Sequence, residues 1–498
     1  MNEFYARFDR STFVDEIKEL CNPLETIPNN VHFSNDSVER LFAKINPYKA
    51  RGPDGVSGKI LKECCKELSS VFTRMFQLLM NSHFVPKSWR TSVIVPIAKT
   101  RNAKEKNDFR PVALTSTICK CMERLVCNQL TTSLSNRLDP LQFAYKAKRG
   151  VEDATLHLMN FNVKALDKPG TFVRILMMDF SSAFNTLQTH ILIKRLLDLD
   201  VTSSLVLWIK SFLSDRPQRV NVNGTLSNEI VINTGAPQGC VLSPLLFSIY
   251  TNELMCNTES LLLVKFADDM ALAAVIRDEQ SLSDYFIFVN RLMTWFKESY
   301  LILNVKKTKE LCLEEKRAKS TDFVNPILID CDKVEQVDNF KYLGTILDKK
   351  LTFTDHVDTV CKKASQRLHF LRKMKCFGMN CYVLELVYRS LVLSVLTFNI
   401  VTWYGNLRVK ERTKLNRIVN LASKIIGKQQ ETLSDIFNKF SRRKAIKIVN
   451  DSSHPLNSNF TLLRSGRRYK VPLAKRNLHK FSFVPSAINI LNGVGAGI

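Results

Sequence analysis

The chain has 498 residues, of which 45% are hydrophobic, and its 72 lysines and arginines outnumber its 47 aspartates and glutamates, so its formal net charge is +25. This length and composition exclude a largely disordered chain and predict a folded protein with more than one subdomain. The basic excess favours a polyanionic partner, with nucleic acid ahead of an anionic membrane.

The first third of the chain is predicted to contain helices, one strand and several turns. Residues 1–50 are polar and contain no secretory signal. A Gly-Pro-Asp-Gly turn leads into a long amphipathic helix expected from about Ser57 to Asn81. Residues 91–99 are expected to form a strand broken by Pro96. Residues 110–130 are expected to begin as a loop and to continue as a helix.

The centre of the chain mixes strand and helix patterns. Its predicted elements are, in chain order, a strand at 172–180, helices near 189–199 and 202–213, a hairpin through Asn223-Gly224, a loop leading into a helix within 235–254, two strands flanking Ala267-Asp268-Asp269, and a helix at about 279–299. This alternation predicts a mixed α/β core.

From Thr354 to about Gly427 the pattern is helix after helix, basic and without a strand signal. Leu391–Gly405 is the most apolar stretch, but it is shorter than the roughly 20 residues that a membrane span needs, so we expect a buried helix. Two basic runs, at 441–447 and 464–476, suit nuclear import and RNA phosphates equally. The 13 cysteines lack a repeated short spacing and predict neither a disulfide framework nor a zinc site.

Three aspartates lie beside apolar, β-prone segments. Asp179 closes one such segment, and Asp268 and Asp269 lie between two others. Neighbouring strands of one sheet would bring these acids together, which is costly unless cations compensate for their charge. Mg²⁺ takes oxygen ligands, and two ions about 4 Å apart support an in-line displacement at phosphorus. By itself, however, an Asp-Asp pair also fits an ordinary hairpin turn.

Six motifs occur in a fixed order along the chain. They are Arg110-Pro-Val-Ala-Leu, Asp179-Phe-Ser-Ser-Ala-Phe184-Asn, Ala236-Pro-Gln-Gly-Cys-Val-Leu-Ser-Pro244, Phe266-Ala-Asp-Asp269, Leu303-Asn-Val-Lys-Lys-Thr-Lys309 and Phe340-Lys-Tyr-Leu-Gly344. In this order and chemistry the chain resembles the reverse transcriptases of non-LTR retrotransposons, the LINE type that includes jockey-like elements. The resemblance covers residues 45–430 and is strongest over 85–350.

The resemblance implies a role for each matching residue. The implied catalytic acids are Asp179, Asp268 and Asp269, with Asp179, Asp268 and the backbone carbonyl of Phe180 as metal ligands. The other implied roles are a triphosphate contact for Arg110, a gate against the 2′-hydroxyl for Phe184, a surface against nucleotide and template for Gln238 and Gly239, a contact with the pyrophosphate for Lys307 or Lys309, and a primer grip for Tyr342, Leu343 and Gly344. Ordinary core packing for Phe184 and an exposed surface position for Arg110 are the alternatives.

The resemblance also implies an α+β fold of the right-hand polymerase type, with fingers, a palm carrying an antiparallel sheet, and a helical thumb. It assigns 1–45 to a linker or N-terminal extension, 46–170 to the N-terminal extension and fingers, 79–348 to the reverse transcriptase domain, 354–430 to the thumb and 431–498 to a basic C-terminal tail. The implied cofactors are two Mg²⁺ ions, with Mn²⁺ as an alternative. The implied partners are an RNA template, a DNA primer or target DNA, and dNTPs. No membrane or protein partner is expected, and the location is expected to be the nucleus, the cytoplasm or both.

The implied activity is RNA-directed DNA synthesis. Members of this group usually begin with an endonuclease domain, for which there is no room before residue 45, so we expect this sequence to be a fragment. Two alternatives remain open. One is a catalytically decayed remnant that only binds RNA, and the other is a different palm polymerase, such as an intron maturase or a viral RNA polymerase. Phe184 favours use of dNTPs, because RNA polymerases usually have a smaller or polar residue at the gate.

Overall fold

A computed structural model of the chain describes residues 1–9, 13–25, 29–313 and 325–493. They form two compact units, each assembled from segments that are distant in sequence. Unit 1 comprises Met1–Asp139, Phe180–Leu254 and Leu292–Leu303. Unit 2 comprises Pro140–Asp179, Met255–Arg291 and the chain from Asn304 onward.

Helices make up most of the regular structure that is described. The α-helices are α1 (Asn2–Ala6), α2 (Val14–Cys21), α3 (Asn35–Ala43), α4 (Gly58–Glu63), α5 (Cys65–Asn81), α6 (Lys87–Arg90), α7 (Thr117–Ser133), α8 (Val151–Leu166), α9 (Ala183–Thr186), α10 (Thr189–Asp198), α11 (Ser203–Leu213), α12 (Ser243–Tyr250), α13 (Glu279–Glu298), α14 (Thr354–Cys376), α15 (Cys381–Val387), α16 (Ser394–Leu396), α17 (Ile400–Trp403), α18 (Val409–Ile426), α19 (Leu433–Val449), α20 (Asn477–Lys480) and α21 (Phe483–Leu491).

The strands are concentrated in the centre of the chain. They are β1 (Ser92–Ala98), β2 (Phe109–Leu114), β3 (Phe172–Met178), β4 (Arg216–Val222), β5 (Thr225–Leu226), β6 (Ile230–Ile232), β7 (Leu261–Phe266), β8 (Asp269–Ile276), β9 (Lys309–Leu313), β10 (Leu328–Ile329), β11 (Asp332–Lys333), β12 (Glu335–Gln336), β13 (Asn339–Tyr342) and β14 (Thr345–Asp348). The predicted mixture of helices and sheets is confirmed.

Unit 1 contains a small sheet in the order β2-β1-β4-β5, in which β6 also pairs with β4, on the side away from β1. The sequence predictions for β1 and β2 were partly wrong. Pro96 does not break β1, and the segment that begins at Phe109 is a strand rather than a loop. Pro96 pairs with Pro111 across the two strands, so the missing N–H donors fall at one position of the ladder instead of two.

The long helix predicted from Ser57 to Asn81 is also divided. Cys64, with φ −102° and ψ 30°, leaves the helical conformation between α4 and α5. The remaining predictions for the centre of the chain agree well with the structure. In particular, α10, α11 and α13 lie within one or two residues of their predicted bounds, and Asn223-Gly224 turns β4 into β5.

Unit 2 is built on the sheet β12-β9-β3-β8-β7. Strand β3 is central, runs antiparallel to both β8 and β9, and is buried at all seven positions. Its one charged residue, Arg174, forms an ion pair with Glu310 of β9 in which both side chains are 0% exposed. Two guanidinium nitrogens each lie 2.7 Å from a carboxylate oxygen, and Tyr285 adds a 3.0 Å hydrogen bond. A buried pair of this kind fixes β3 against β9.

The basic segment after residue 430 is folded. Helix α19 packs against α21, which buries Phe483, Val484 and Ile488 in the large hydrophobic core of unit 2. Asp167, just after α8, accepts hydrogen bonds from the backbone N–H groups of Lys475 and Arg476 at 3.0 and 2.8 Å. These contacts attach the chain at Lys475–Arg476 and at α21 to the rest of unit 2.

The single buried helix predicted at Leu391–Gly405 is wrong. The segment is a broken run made of π-helix, α16 and α17, and Leu391 and Phe398 are exposed. Within the described ranges, one helical run, Cys381–Asn406, has the length and apolar composition that a membrane span requires. Length and composition alone do not distinguish such a span from the core helices of a folded protein, and Val392, Leu396 and Trp403 are buried here.

Candidate active site

The three aspartates lie at one edge of the sheet of unit 2. In the antiparallel register of β3 and β8, Met178 is opposite Met270. Asp179 follows Met178 and Asp269 precedes Met270, so both leave the sheet at the same edge. Asp268 occupies the turn between β7 and β8, as the hairpin pattern of the sequence predicted.

The side chain of Gln142 forms hydrogen bonds with the turn that carries Asp268. The sequence analysis did not predict a role for Gln142. Ala267 has a left-handed backbone, with φ 57°. The buried Gln142 amide oxygen accepts hydrogen bonds from the backbone N–H groups of Ala267 and Ala144, each at 3.1 Å, while its nitrogen donates to the Ala267 carbonyl at 3.4 Å. One side chain thus satisfies the backbone of the turn on both sides and keeps the acids at the sheet edge.

The electrostatics of this edge are dominated by its acidic groups. Partial burial and the negative charges of Asp268 and Asp179 raise the pKa of Asp269 from 3.8 to about 6. Burial and the charges of Asp268 and Asp269 also raise the pKa of Tyr145, which has a left-handed backbone with φ 60°. Three carboxylates so arranged favour the arrival of a cation.

The segment Asn304–Lys309 forms hydrogen bonds with the backbone of Asp179 and places a lysine near its carboxylate. The Asn304 N–H donates to the carbonyl of Asp179 at 2.8 Å, and the buried Thr308 hydroxyl accepts from the Asp179 N–H at 3.4 Å. The Lys307 ammonium lies 3.6 Å from the Asp179 carboxylate. Lys309 is paired instead with Glu335 at 2.6 Å. The sequence did not distinguish the two lysines, and the structure brings only Lys307 to the aspartates.

The predicted primer-grip residues form the tight turn between β13 and β14. Leu343 and Gly344 both have positive φ, 44° and 90°, as a two-residue hairpin turn requires. A Cβ atom on Gly344 would lie 2.7 Å from the Phe398 ring, so this position needs glycine for space as well. Tyr342 is buried, and burial together with the charge of Asp269 raises the pKa of its phenol. The neighbouring Asn399 amide donates to the Thr345 hydroxyl at 3.1 Å.

The donor chemistry of the sheet edge fits a divalent cation. One carboxylate oxygen of Asp179, Oδ2, is buried without a hydrogen-bond partner, and carboxylate oxygens are ligands that Mg²⁺ prefers. Across the described ranges, however, no group of three or more His, Cys, Asp or Glu side chains stands in position to enclose a metal ion by itself. A metal at this edge would therefore need further ligands from solvent or substrate.

In unit 1, the predicted nucleotide residues lie on the loop that precedes α12. Gly239 has φ 126°, and a Cβ atom there would lie 2.7 Å from the carbonyl oxygen of Ala113. The Ala113 N–H in turn donates to the Gln238 carbonyl at 2.7 Å, so this loop is bound directly to β2. The Gln238 side chain donates to Asn185 at 3.3 Å. Glycine at 239 is explained by both conformation and space.

Two buried ionisable residues hold this loop, and neither was predicted from the sequence. The Glu123 carboxylate of α7 accepts the N–H groups of Val241 and Leu242 at 2.6 and 3.0 Å. Burial raises the pKa of Glu123 to about 6. The Arg216 guanidinium donates to the carbonyls of Thr234 and Gly235, and burial lowers its pKa to about 10.

The remaining predicted residues of unit 1 are placed as follows. Phe184 is half-buried, and its ring lies 4.9 Å from that of Phe247. The Phe180 ring is buried and lies 4.9 Å from the Phe296 ring. Arg110 is exposed on β2. These positions are compatible with both the implied roles and the packing alternatives.

Comparison with known proteins identifies the family. The sequence profile of the reverse transcriptase (RNA-dependent DNA polymerase) family matches residues 97–347, about half of the chain. This chain belongs to the reverse transcriptase family. A second profile, that of the N-terminal region of alkylated DNA repair protein alkB homolog 8, matches only residues 353–394.

The relatives of this reverse transcriptase chain come from mobile elements, which confirms the predicted kinship with non-LTR retrotransposons. In Drosophila melanogaster, the RNA-directed DNA polymerase from mobile element jockey is 24% identical over 409 residues, or 78% of this chain and 43% of that protein. The probable RNA-directed DNA polymerase from transposon BS, from the same species, is 27% identical over 74% of this chain and 42% of that protein. The chain thus spans less than half the length of these relatives.

Among solved structures, apo telomerase from Candida tropicalis, truncated from its C-terminal domain, matches with a TM-score of 0.36 and 13% identity. That match covers 60% of this chain and 61% of the telomerase chain. At this level of similarity it adds nothing to the assignment of the fold.

The raised pKa of Asp269 predicts how stability depends on pH in metal-free buffer. The folded chain keeps the Asp269 proton up to about pH 6, whereas the unfolded chain loses it near 3.8, so stability falls as pH rises between these values. The full shift corresponds to about 3 kcal/mol. Because Asp269 is exposed, solvent screening reduces the expected loss to about 1 kcal/mol. Asp269→Asn should abolish this loss.

Urea unfolding at pH 4.5 and pH 7, with a chelator present, measures the effect. Asp284→Asn is the matched control, since Asp284 is an exposed aspartate of α13 in the same unit. The control should retain the pH dependence of the wild type. An identical pH dependence for Asp269→Asn and wild type would contradict the electrostatic description of the cluster.

Proposed function

We propose that this chain is an RNA-directed DNA polymerase that extends a DNA primer on an RNA template with dNTPs. The observation that carries the proposal is the convergence of Asp179 and Asp269 at one edge of the sheet, with Asp268 in the adjoining turn. Membership of the reverse transcriptase family supports it. Because the chain spans less than half of its relatives, the proposal concerns this chain and no other activity of the longer proteins.

Asp179 and Asp268 are the proposed ligands of Mg²⁺ or Mn²⁺, with the backbone carbonyl of Phe180 as a further ligand. The buried Oδ2 of Asp179, whose nearest cation is the Lys307 ammonium at 3.6 Å and which accepts no hydrogen bond, and the raised pKa of Asp269 support a cation at this edge. When bound, two such ions lower the pKa of the attacking hydroxyl and neutralise charge on the transferred phosphate. The role of Gln142 is to hold the turn that presents Asp268.

Lys307 is proposed to stabilise the pyrophosphate that leaves the dNTP. Its ammonium group is near Asp179, and its side chain is 65% exposed. Lys309, in contrast, forms an ion pair with Glu335. A cation held near the reacting phosphates stabilises the negative charge that develops in the transition state. Arg110 is proposed to contact the triphosphate, for which an exposed guanidinium suits bidentate binding.

The finer architecture we propose is that of a right hand. The sheet of β3, β7, β8 and β9 is the palm, the strands β1 and β2 with their flanking helices belong to the fingers, and α14 to α18 form the thumb. Gln238 and Gly239 would lie against nucleotide and template, and the turn at Tyr342–Gly344 would hold the primer. Basic side chains of α14 would follow the phosphates of the duplex.

Primer extension tests the proposal. The full chain is incubated with a DNA primer on a homopolymeric RNA template, dNTPs and Mg²⁺. Asp268→Asn should reduce extension by at least about 10³-fold, because it removes a ligand of the ions that support the chemistry. Asp284→Asn should extend at the wild-type rate.

The outcomes separate the alternatives. Metal-dependent extension that is lost only in Asp268→Asn supports a polymerase. A folded wild-type chain that binds the RNA template but extends no primer would support the RNA-binding remnant. Extension with rNTPs in preference to dNTPs would support an RNA polymerase.

The role of Phe184 gives a separate prediction. If its ring excludes the 2′-hydroxyl, Phe184→Ala should raise the use of rNTPs relative to dNTPs by roughly tenfold or more, because the steric barrier is removed. Phe184→Tyr keeps the bulk and should keep the selectivity. Single-nucleotide incorporation kinetics measure both.

The packing alternative for Phe184 is tested by its neighbour. Phe247→Leu disturbs the 4.9 Å ring contact but leaves Phe184 in place. It should lower stability without altering the ratio of dNTP to rNTP use. An equal loss of selectivity in Phe247→Leu and Phe184→Ala would show that Phe184 acts through packing.

A further inference from the structure

Residues 461–470 (TLLRSGRRYK) form a short hairpin, here called the basic hairpin, within a strongly cationic part of unit 2. The segment 452–498 contains seven lysines and arginines but no aspartate or glutamate. Four of these cations, Arg464, Arg467, Arg468 and Lys470, belong to the hairpin. The charge therefore has no acidic neighbour in sequence to neutralise it.

The backbone of the basic hairpin is well defined. Leu462 and Tyr469 form an antiparallel bridge. The Leu463 N–H donates to the Arg468 carbonyl at 2.8 Å, and the Lys470 N–H donates to the Thr461 carbonyl at 2.8 Å. These bonds close a tight loop, so the cations project from an ordered turn.

The basic hairpin is also fixed to the core of unit 2. The Asn492 amide accepts from the Tyr469 N–H at 2.8 Å and donates to the Tyr469 carbonyl at 2.9 Å. The Tyr469 ring lies edge-on to Phe460, 6.4 Å between centroids, and Phe460 contacts Phe483 of α21. Anchoring of this kind reduces the ordering entropy that a flexible basic tail would lose on binding.

The cationic side chains of the hairpin are available for a ligand. Arg464, Arg467, Arg468 and Lys470 are exposed. Their side chains form neither hydrogen bonds nor ion pairs with any part of the chain that the structure describes. Elsewhere in unit 2, cations such as Lys414 and Lys428 lie 2.6 and 3.0 Å from carboxylates. Free, clustered guanidinium groups are typical of phosphate-binding surfaces.

We propose that the basic hairpin binds the phosphodiester backbone of nucleic acid, as a contact additional to those at the aspartates. Arginine predominates in it, and the guanidinium group binds a phosphate bidentately. The net charge of +25 favours the approach of a polyanion, and membership of a polymerase family favours nucleic acid over a lipid surface. RNA and DNA share this chemistry, so both are used as probes.

The test is binding of the full chain to fluorescent single-stranded RNA and to duplex DNA over a range of salt concentrations, without dNTPs. The hairpin variant carries Arg464→Gln, Arg467→Gln and Arg468→Gln. Affinity falls as salt rises, and a plot of log affinity against log salt is a line with a negative slope. Each lost phosphate contact should make this line less steep, by about 0.7 on a single strand or about 0.9 on duplex DNA. Three contacts correspond to a slope smaller in magnitude by about 2 on a single strand and about 3 on duplex DNA, and to an affinity lower by at least roughly 100-fold at about 0.1 M salt.

A charge-matched control carries Lys18→Gln, Arg40→Gln and Lys66→Gln. These three cations are exposed on unit 1 helices that also carry acidic residues, so their replacement should change affinity little. A second variant, which carries Arg464→Lys, Arg467→Lys and Arg468→Lys, keeps the charge and should retain most of the binding. Circular dichroism and the melting temperature verify that each variant is folded.

Loss of affinity and slope in the hairpin variant alone supports the proposal, and the probe that is affected more identifies RNA or DNA as the preferred partner. Equal binding by the hairpin variant and the charge-matched control would overturn it. Binding to phosphatidylserine vesicles is measured as well. The proposal would also be overturned if the hairpin variant bound both nucleic acids normally but no longer bound these vesicles. Because no catalysis is measured, the result is independent of whether the chain extends primers.

Discussion

Electrostatic repulsion among Asp179, Asp268 and Asp269 is the constraint on which the site depends. Three carboxylates at one sheet edge destabilise one another. Burial, together with the negative charges of Asp268 and Asp179, raises the pKa of Asp269. The acids stay together because the strands and turns that carry them are fixed by contacts elsewhere in unit 2. The central, fully buried strand β3 delivers Asp179, and the β7–β8 hairpin delivers the other two.

The supporting contacts are mostly backbone hydrogen bonds. Gln142 satisfies the turn around Ala267, while Asn304 and Thr308 hold both backbone groups of Asp179. The groups that make these bonds, a side-chain amide, a backbone N–H and a hydroxyl, are neutral, so they position the acids without cancelling their charge. Lys307 is the cation that approaches the cluster, and its exposed side chain gives only weak compensation. The remaining negative charge is what makes this edge suited to a divalent ion and to phosphates that accompany it.

Much of this architecture follows from local sequence pattern. The apolar run that ends at Asp179 and the paired runs around Asp268 predict strands because β-prone residues are bounded by turn residues. Helices α10, α11 and α13 follow from their apolar periodicity. The errors have local causes too. Pro96 was expected to break the strand at 91–99, but the facing Pro111 lets both prolines share one position of the ladder.

Residues that act through distant contacts could not be predicted. Gln142 and Ala267 are 125 residues apart, and Glu123 lies 118 residues from Val241. The sequence does not show which distant backbone N–H or carbonyl groups a polar side chain will bind, because that depends on the tertiary fold. The same applies to Tyr469, whose anchoring by Asn492 turns a basic run into an ordered hairpin.

Mn²⁺ binding to the metal-free full chain, followed by electron paramagnetic resonance without nucleotide or nucleic acid, tests the central claim most directly. Changes in groups that only support metal ligands already cost about 10- to 100-fold in affinity, so loss of a ligand should cost at least as much. We expect Asp268→Asn to weaken Mn²⁺ binding by at least about tenfold, and Asp284→Asn to bind like the wild type. Equal Mn²⁺ affinity in wild type and Asp268→Asn would contradict the assignment of this sheet edge as a cation site.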